Sequence, residues 1–189
     1  MRITGGELGG RRIGVPEGWA VRPTQDRVRE ALFSSLGAAL EGAAVLDLFA
    51  GSGALGLEAW SRGAGSVCWV ERDGPVFANL QRNVAALCGA EAARGCVQMD
   101  VFAFLRQCRT AYDFILADPP YDRHTVHGDA DRLLAAAAEG AVKPSGWLIY
   151  EQHAAQAVPV HADWELVRDR VYGRTKLLYF RYRPDGGAS

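Results

Sequence analysis

No apolar run in this 189-residue chain approaches the roughly 18 residues that a membrane-crossing helix requires. The stretch MRITGGELGGRR has no apolar centre of the kind a secretory leader carries, so a cytoplasmic protein is expected. The four cysteines, Cys68, Cys88, Cys96 and Cys108, form no C-x-x-C pair. That argues against a disulfide framework and for free thiols in a reducing compartment. His124 and His127 stand as H-x-x-H without any further ligand cluster, so no metal is expected. Linkers, internal repeats and low-complexity tracts are absent. With 49% hydrophobic and 23% charged residues, the chain has the composition of one globular domain.

An excess of one charge is also lacking, since the net is −1. The distribution is uneven, however. Residues 1–30 carry six Arg against four acids, and residues 160–189 carry six Lys or Arg against four acids. Each end is therefore +2 and the middle −5. Basic ends around an acidic middle suit a protein with one anion-facing surface and one cation-facing pocket.

Residues 2–13 read as a short hairpin around Gly5-Gly6 and Gly9-Gly10. A helix opens at Pro23-Thr24, and Val28, Ala31, Leu32, Leu36, Ala39 and Leu40 fall on one face at helical spacing. From residue 44 strands alternate with helices. The strands are AVLDLF, SVCWVE, GCVQMD, YDFILA and GWLIYEQ. Between them lie GALGLEAWSRG, DGPVFANLQRNVAALC capped by Asp73, VFAFLRQC and DADRLLAAAAEG. WELVRDRVYG and TKLLYFRYR close the chain as a hairpin about Gly173. Such alternation predicts a parallel sheet covered on both faces, with ligands at the carboxyl ends of the strands.

Those ends carry acids: Asp47, Glu71, Asp100 and Asp118. Gly51-Ser52-Gly53-Ala54-Leu55-Gly56 matches G-x-G-x-x-G between a strand and a helix, with Glu71 twenty residues on for ribose hydroxyls. The glycines alone suit NAD as well as S-adenosylmethionine. Asp47 discriminates, because a carboxylate at the loop would repel a pyrophosphate and attract a sulfonium cofactor bearing an ammonium group. Asp100 stands where an adenine amino group could donate to it; its plainer reading, shared with Asp73, is a helix cap.

ADPPYD, Ala117 to Asp122, ends a core strand with two residues that cannot donate to a ladder. An exocyclic amino group on a base is a poor nucleophile, because its lone pair is delocalised into the ring. Asp118 and the Pro119 carbonyl can each accept one of its N–H bonds, align the nitrogen and stabilise the charge that develops. Tyr121 offers a stacking face, worth about 1–3 kcal/mol.

LDLFAGSGALG, ADPPY and Glu71 resemble the class I S-adenosylmethionine-dependent methyltransferases of the amino-group branch. RITGG, GGRRI and RPTQDRVREALF narrow the resemblance to the RsmD-type 16S rRNA (guanine-N2)-methyltransferase family, over about residues 2–182. The resemblance implies a Rossmann-like α/β fold. Its mostly parallel seven-stranded sheet would carry helices on both faces, a C-terminal antiparallel hairpin, and an N-terminal β-hairpin and helix. Residues 1–40 would form an RNA-facing extension and 41–189 the catalytic domain. The implied reaction is methyl transfer from S-adenosyl-L-methionine to N2 of guanine 966 in 16S rRNA or a small-subunit assembly intermediate, by a monomer with no membrane partner.

Carried over residue by residue, Asp118, Pro119, Pro120 and Tyr121 would hold the guanine amino group. Asp47, Gly51 and Gly53 would line the methionine part of the cofactor, Glu71 the ribose and Asp100 the adenine, with Phe49, Arg72 and Val101 in the cofactor-binding set. Arg11, Arg12, Arg22 and Thr24 would face the RNA. Many members carry a basic residue where this chain has Gly9. The same motif chemistry serves adenine N6 and cytosine N4 methyltransferases, but the chain has no room for their target-recognition region. An NAD-dependent oxidoreductase or a non-catalytic RNA-binding module would leave the acids unexplained.

Overall fold

Runs rich in Val, Leu and Ile alternate with amphipathic segments, and that alternation becomes one sheet with helices on both faces. The structure, a computed structural model, describes residues 1–15, 23–120 and 129–184. Helix α1 (Pro23–Leu36) leads to β1 (Ala44–Leu48), α2 (Ala54–Ser61), β2 (Ser66–Glu71), α3 (Gly74–Cys88), α4 (Ala90–Ala93) and β3 (Cys96–Gln98). There follow α5 (Val101–Gln107), β4 (Tyr112–Ala117), α6 (Asp129–Ala138), β5 (Val142–His153), β6 (Trp164–Tyr172) and β7 (Thr175–Tyr182). Among the described residues the seven strands lie in the order β3-β2-β1-β4-β5-β7-β6. The first five are parallel, and β7 runs antiparallel between β5 and β6. Strand order reverses between β1 and β4, where sheets of this kind open a ligand crevice. No helix of the described residues is long and apolar enough to cross a membrane.

Residues paired across parallel strands share a face of the sheet. Val45, Trp69, Leu116 and Ile149 are buried on the first face with Leu57 of α2 and Leu80 of α3. Leu46, Ile115, Ala117 and Leu148 are buried on the second with Leu105 of α5 and Leu133 of α6. Ile3, Ile13, Val28, Leu32 and Phe33 join the first cluster, so the N-terminal segment packs on the side of α2 and α3. Arg29 of α1 meets Glu58 of α2 at 3.3 Å, and Arg62 beyond α2 lies over the Phe33 ring. The two helices therefore run side by side in the same direction. The first turn of α1 lies at the end of the sheet where α2 begins, the carboxyl end of β1.

Three local expectations change. Helical spacing predicts one helix through Leu40, but α1 ends at Leu36, Gly37 takes φ 53°, and a 3-10 turn follows over Gly37–Leu40. Within that turn Ala39 is exposed and Leu40 is buried. The expected N-terminal β-hairpin is a loop closed by one isolated bridge, Arg2 to Arg12, with the Ile3 N–H donating to the Arg11 carbonyl at 3.0 Å. Gly6 (φ 75°) and Gly10 (φ 81°) leave the extended region, which prevents longer strands. Finally, β5 starts at Val142 rather than Gly146, because pairing with β4 continues across an irregularity between Tyr112 and Phe114.

Candidate active site

At the end of β1 the chain must reverse within a few residues to start α2. Phe49 adopts φ 59°, a strained value for a non-glycine residue that costs on the order of 1–3 kcal/mol and concentrates at functional turns. The Gly53 N–H donates to the Ala50 carbonyl at 2.7 Å, and the Gly53 carbonyl accepts from the Leu57 N–H at 2.8 Å. Gly53 is required on two counts: its φ is 86°, and a Cβ there would lie 2.6 Å from Leu80 Cδ1. Gly56 lets α2 approach β2, since a Cβ would collide with the Trp69 ring nitrogen.

The strand-end acids tie this loop together. Glu71 accepts from the Gly51 N–H at 3.0 Å through one oxygen and from the Asp73 N–H at 2.9 Å through the other. Asp47 lies beneath the loop rather than at its mouth; it is buried and accepts from the Gly56 N–H at 2.8 Å. Asp100 is exposed and caps α5 by accepting from the Phe102 and Ala103 N–H groups, both at 3.1 Å. Asp73 caps α3 through the Val76 N–H at 3.0 Å. Val101 is buried as the first residue of α5, and Arg72 is exposed beside Glu71.

Burial pushes the Asp47 carboxyl up to about 8; the Gly56 N–H opposes this and the charge of Glu71 adds to it. The folded protein therefore binds this proton more tightly than the unfolded chain, and ionising Asp47 costs stability as pH rises from 3.8 to about 8. Asp47→Asn keeps an acceptor for Gly56 and cannot ionise. Its stability relative to wild type is expected to increase steadily across that window in thermal melts. A constant difference at every pH would show that Asp47 does not titrate there.

Asp118 and Pro119 follow β4 directly and are half-buried, while Pro120 is exposed. Tyr121 lies outside the described residues. Burial, then the charges of Glu151 and Asp47, hold the Asp118 carboxyl well above the usual carboxylate range. Glu151, in β5, is an acid whose charge is felt at Asp118 and which the reading of the sequence did not single out. It would have been found by carrying the inspection of strand ends on to the fifth strand.

The N-terminal segment reaches the same region from behind. Glu58 is fully buried in α2 and accepts from Thr4 N–H at 2.9 Å, Thr4 Oγ1–H at 2.6 Å, Arg29 Nε–H at 3.3 Å and Arg62 Nε–H at 3.0 Å. Asn83 donates from Nδ2 to the carbonyls of Gly14 (2.8 Å) and Ser52 (2.9 Å) and accepts the Gly14 N–H at 3.0 Å. It thus joins the glycine loop to the N-terminal segment. Asn79, one turn earlier, also donates to the Gly14 carbonyl at 2.9 Å. Two asparagines four residues apart on an apolar helix face were the overlooked signal. Arg11 and Arg12 are exposed. Arg22 lies outside the described residues, and Thr24 is described only as backbone of α1. All four cysteines are free, and burial pushes the Cys96 thiol up to about 12.

A sheet whose order reverses between β1 and β4, a glycine loop after β1 and Asp-Pro-Pro after β4 define a class I methyltransferase. A family model described as Conserved hypothetical protein 95 matches residues 1–181, and the chain belongs to that family, the RsmD-type methyltransferases. The chain is 36% identical over 193 residues to the Ribosomal RNA small subunit methyltransferase D of Escherichia coli K12, covering 98% of this chain and 92% of that one. Identity to the protein of the same name from Haemophilus influenzae is 31%, over 92% and 89% of the two chains. Among solved structures, the yhhF protein of E. coli superposes with a TM-score of 0.83 at 32% identity, covering 97% of this chain and 98% of that one. The Thermus thermophilus 16S rRNA N2 G1207 methyltransferase (RsmC), in complex with AdoMet and guanosine, shares the fold with a TM-score of 0.67 at 23% identity, over 90% of this chain and 46% of that one.

Proposed function

We propose that this protein transfers a methyl group from S-adenosyl-L-methionine to the exocyclic N2 amino group of guanine 966 in small-subunit 16S rRNA, naked or within an assembly intermediate. The observation that carries the reading is the position of Asp118-Pro119-Pro120, directly after β4 and next to the strand that feeds the glycine loop. The names of the relatives support an rRNA substrate.

The loop suits this cofactor. Gly53 leaves the turn free of a side chain, so a ligand can approach the backbone closely. Asp47, buried under Gly56 with its carboxyl pushed up to about 8, offers no charge at the loop mouth, so the preference for S-adenosyl-L-methionine over a dinucleotide is supported by the methyltransferase relatives rather than by that carboxyl. A carboxylate has about four lone-pair sites, so Glu71 keeps acceptors for ribose hydroxyls after serving two amides. Asp100 accepts both its capping bonds through one oxygen and keeps the other for the adenine amino group. Phe49, Arg72 and Val101 complete the proposed cofactor-binding set. When bound, S-adenosylmethionine supplies an electrophilic methyl group whose bond to sulfur breaks with both electrons remaining on sulfur.

The protein's part is to make the base amine a competent nucleophile. Asp118 and the Pro119 carbonyl accept its two N–H bonds, which favours a pyramidal nitrogen and stabilises its developing charge. Pro119 and Pro120 stiffen the loop, and Tyr121 stacks on the base. Residues 1–40 dock RNA through Arg11, Arg12, Arg22 and Thr24, and residues 41–189 carry out the transfer as a monomer in the cytoplasm.

Mass-spectrometric nucleoside analysis tests this reading. Unmodified 16S rRNA incubated with the protein and isotopically labelled cofactor is expected to yield labelled N2-methylguanosine. Label in N6-methyladenosine or N4-methylcytidine would transfer the function to those bases, and no label in any nucleoside would overturn it.

A further inference from the structure

The register of the sheet places an additional acid beside Asp118. In β4 and β5 the partners Leu116 and Ile149 both lie on the first face, and Ala117 and Tyr150 both lie on the second. The next position on each strand returns to the first face: Asp118 past the end of β4, and Glu151 within β5. Neighbouring strands lie about 4.8 Å apart. Glu151 pairs on its other side with Leu177 of β7, which is buried on the first face. Asp47, paired with both Trp69 and Leu116, belongs to that face as well. Three carboxyls on β1, β4 and β5 thus point to one side of the sheet, and the charges of Glu151 and Asp47 are both felt at Asp118.

Toward the antiparallel edge the same face also carries Arg168 and Arg170 of β6 and Arg181 of β7, with Arg170 across Leu177 from Glu151, Arg168 over the Tyr179 ring and Arg181 over the Trp147 ring. Arg29 of α1 and Glu58 of α2 form an ion pair with each other, and Glu71 is held by the amides of Gly51 and Asp73. Two half-buried carboxyls side by side disfavour double ionisation, so the pair holds a proton more readily than either carboxyl alone. That raises a difficulty for the proposed reaction. A protonated Asp118 can accept an N–H bond through its carbonyl oxygen, but it cannot take up a proton unless it gives one away.

We propose that Glu151 is the positioning partner of Asp118 and receives the proton that Asp118 hands on when the target amine is methylated. The nitrogen uses its lone pair to bond the methyl carbon. Its N–H bond then breaks toward Asp118, and the electron pair of that bond remains on nitrogen. The O–H that Asp118 already carries breaks toward Glu151. The pair passes from one negative charge to none as the amine passes from one positive charge to none, and the pair then releases one proton to water. This step rests on the proposed amino methyl transfer.

Glu151→Gln tests the pair in two ways. In cofactor-free, RNA-free protein labelled with 13C at aspartate carboxyls, the Asp118 resonance, assigned by its loss in Asp118→Asn, is expected to titrate at least one unit lower in the variant. In turnover, the acid limb of the kcat profile is expected to move to lower pH by about the same amount, because without the Glu151 charge Asp118 ionises and accepts the proton alone. RNA KM and cofactor affinity should remain within two-fold, and Glu151→Asp should restore part of the wild-type profile. An unchanged Asp118 titration overturns the pair, and a shifted titration with an unmoved acid limb overturns the relay. Should wild type methylate no RNA, the functional reading fails and the relay with it, while the titration still decides the pair.

Discussion

Asp118→Ala is expected to lower kcat/KM for RNA methylation by about 2–4 kcal/mol, or roughly 30- to 1,000-fold. The loss should appear in kcat, because the carboxyl stabilises charge that develops on the amine only during attack. Cofactor affinity should stay within a few-fold, since Asp118 follows β4 while the glycine loop follows β1. The folded protein should lose no stability at neutral pH. Burial and two like-charged neighbours disfavour the ionised carboxyl, so removing it relieves a cost. Single-turnover methylation, calorimetric titration with the cofactor and a thermal melt separate these effects. Wild-type turnover by Asp118→Ala would remove Asp118 from the chemistry.

Glu58→Ala is expected to produce the largest loss of stability, about 3–5 kcal/mol, the scale for removing one partner of a buried ion pair. Glu58 is 0% exposed and Arg29 is 4% exposed, so truncation leaves a buried guanidinium without its carboxylate. Thr4 loses the acceptor for both its amide and its hydroxyl. In a chain of this length the melting temperature should fall by roughly 6–20 °C. Because Thr4 sits between the buried Ile3 and the loop at Gly5-Gly6, limited proteolysis should cut first within the N-terminal 15 residues. Glu58→Gln, which keeps the shape and two acceptor lone pairs, should lose less. A melting temperature equal to wild type in Glu58→Ala would mean that the network contributes no net stability.

The two variants divide the site by function. In the proposed reaction Asp118 would act on the substrate from the carboxyl end of β4. Glu58 acts from behind α2, where it fixes the N-terminal segment against the helix that begins at the glycine loop. Asn83 makes the corresponding link to the loop itself through the Ser52 carbonyl. RNA engaged by the segment and cofactor engaged by the loop would thus act on one connected body.

Much of this was legible in the chain before any coordinates. Four of the five strand segments are mostly apolar and end at an acid or a glycine, which marks core strands and their carboxyl ends, because strands of a parallel sheet are buried on both faces. Glu71 and Asp118 are found by that rule without knowledge of strand order, and Asp47 by its interruption of the first run. G-x-G-x-x-G and Asp-Pro-Pro-Tyr are local motifs whose chemistry depends on neighbours in sequence.

What the tertiary structure decided depends on neighbours distant in sequence. Asp47 reads as exposed at a loop mouth until α2 folds back and buries it under Gly56. Nothing in the local sequence marks Glu58, which gains its role only when Arg29, 29 residues away, is brought against it. Glu151 gains its meaning only when β5 is placed beside β4 in a register that aligns Tyr150 with Ala117. A strand reports its own alternation of faces, but its partner and register are set by the packing of the whole sheet. Local sequence therefore determined where the acids stand along the chain, and the sheet determined which of them share one pocket.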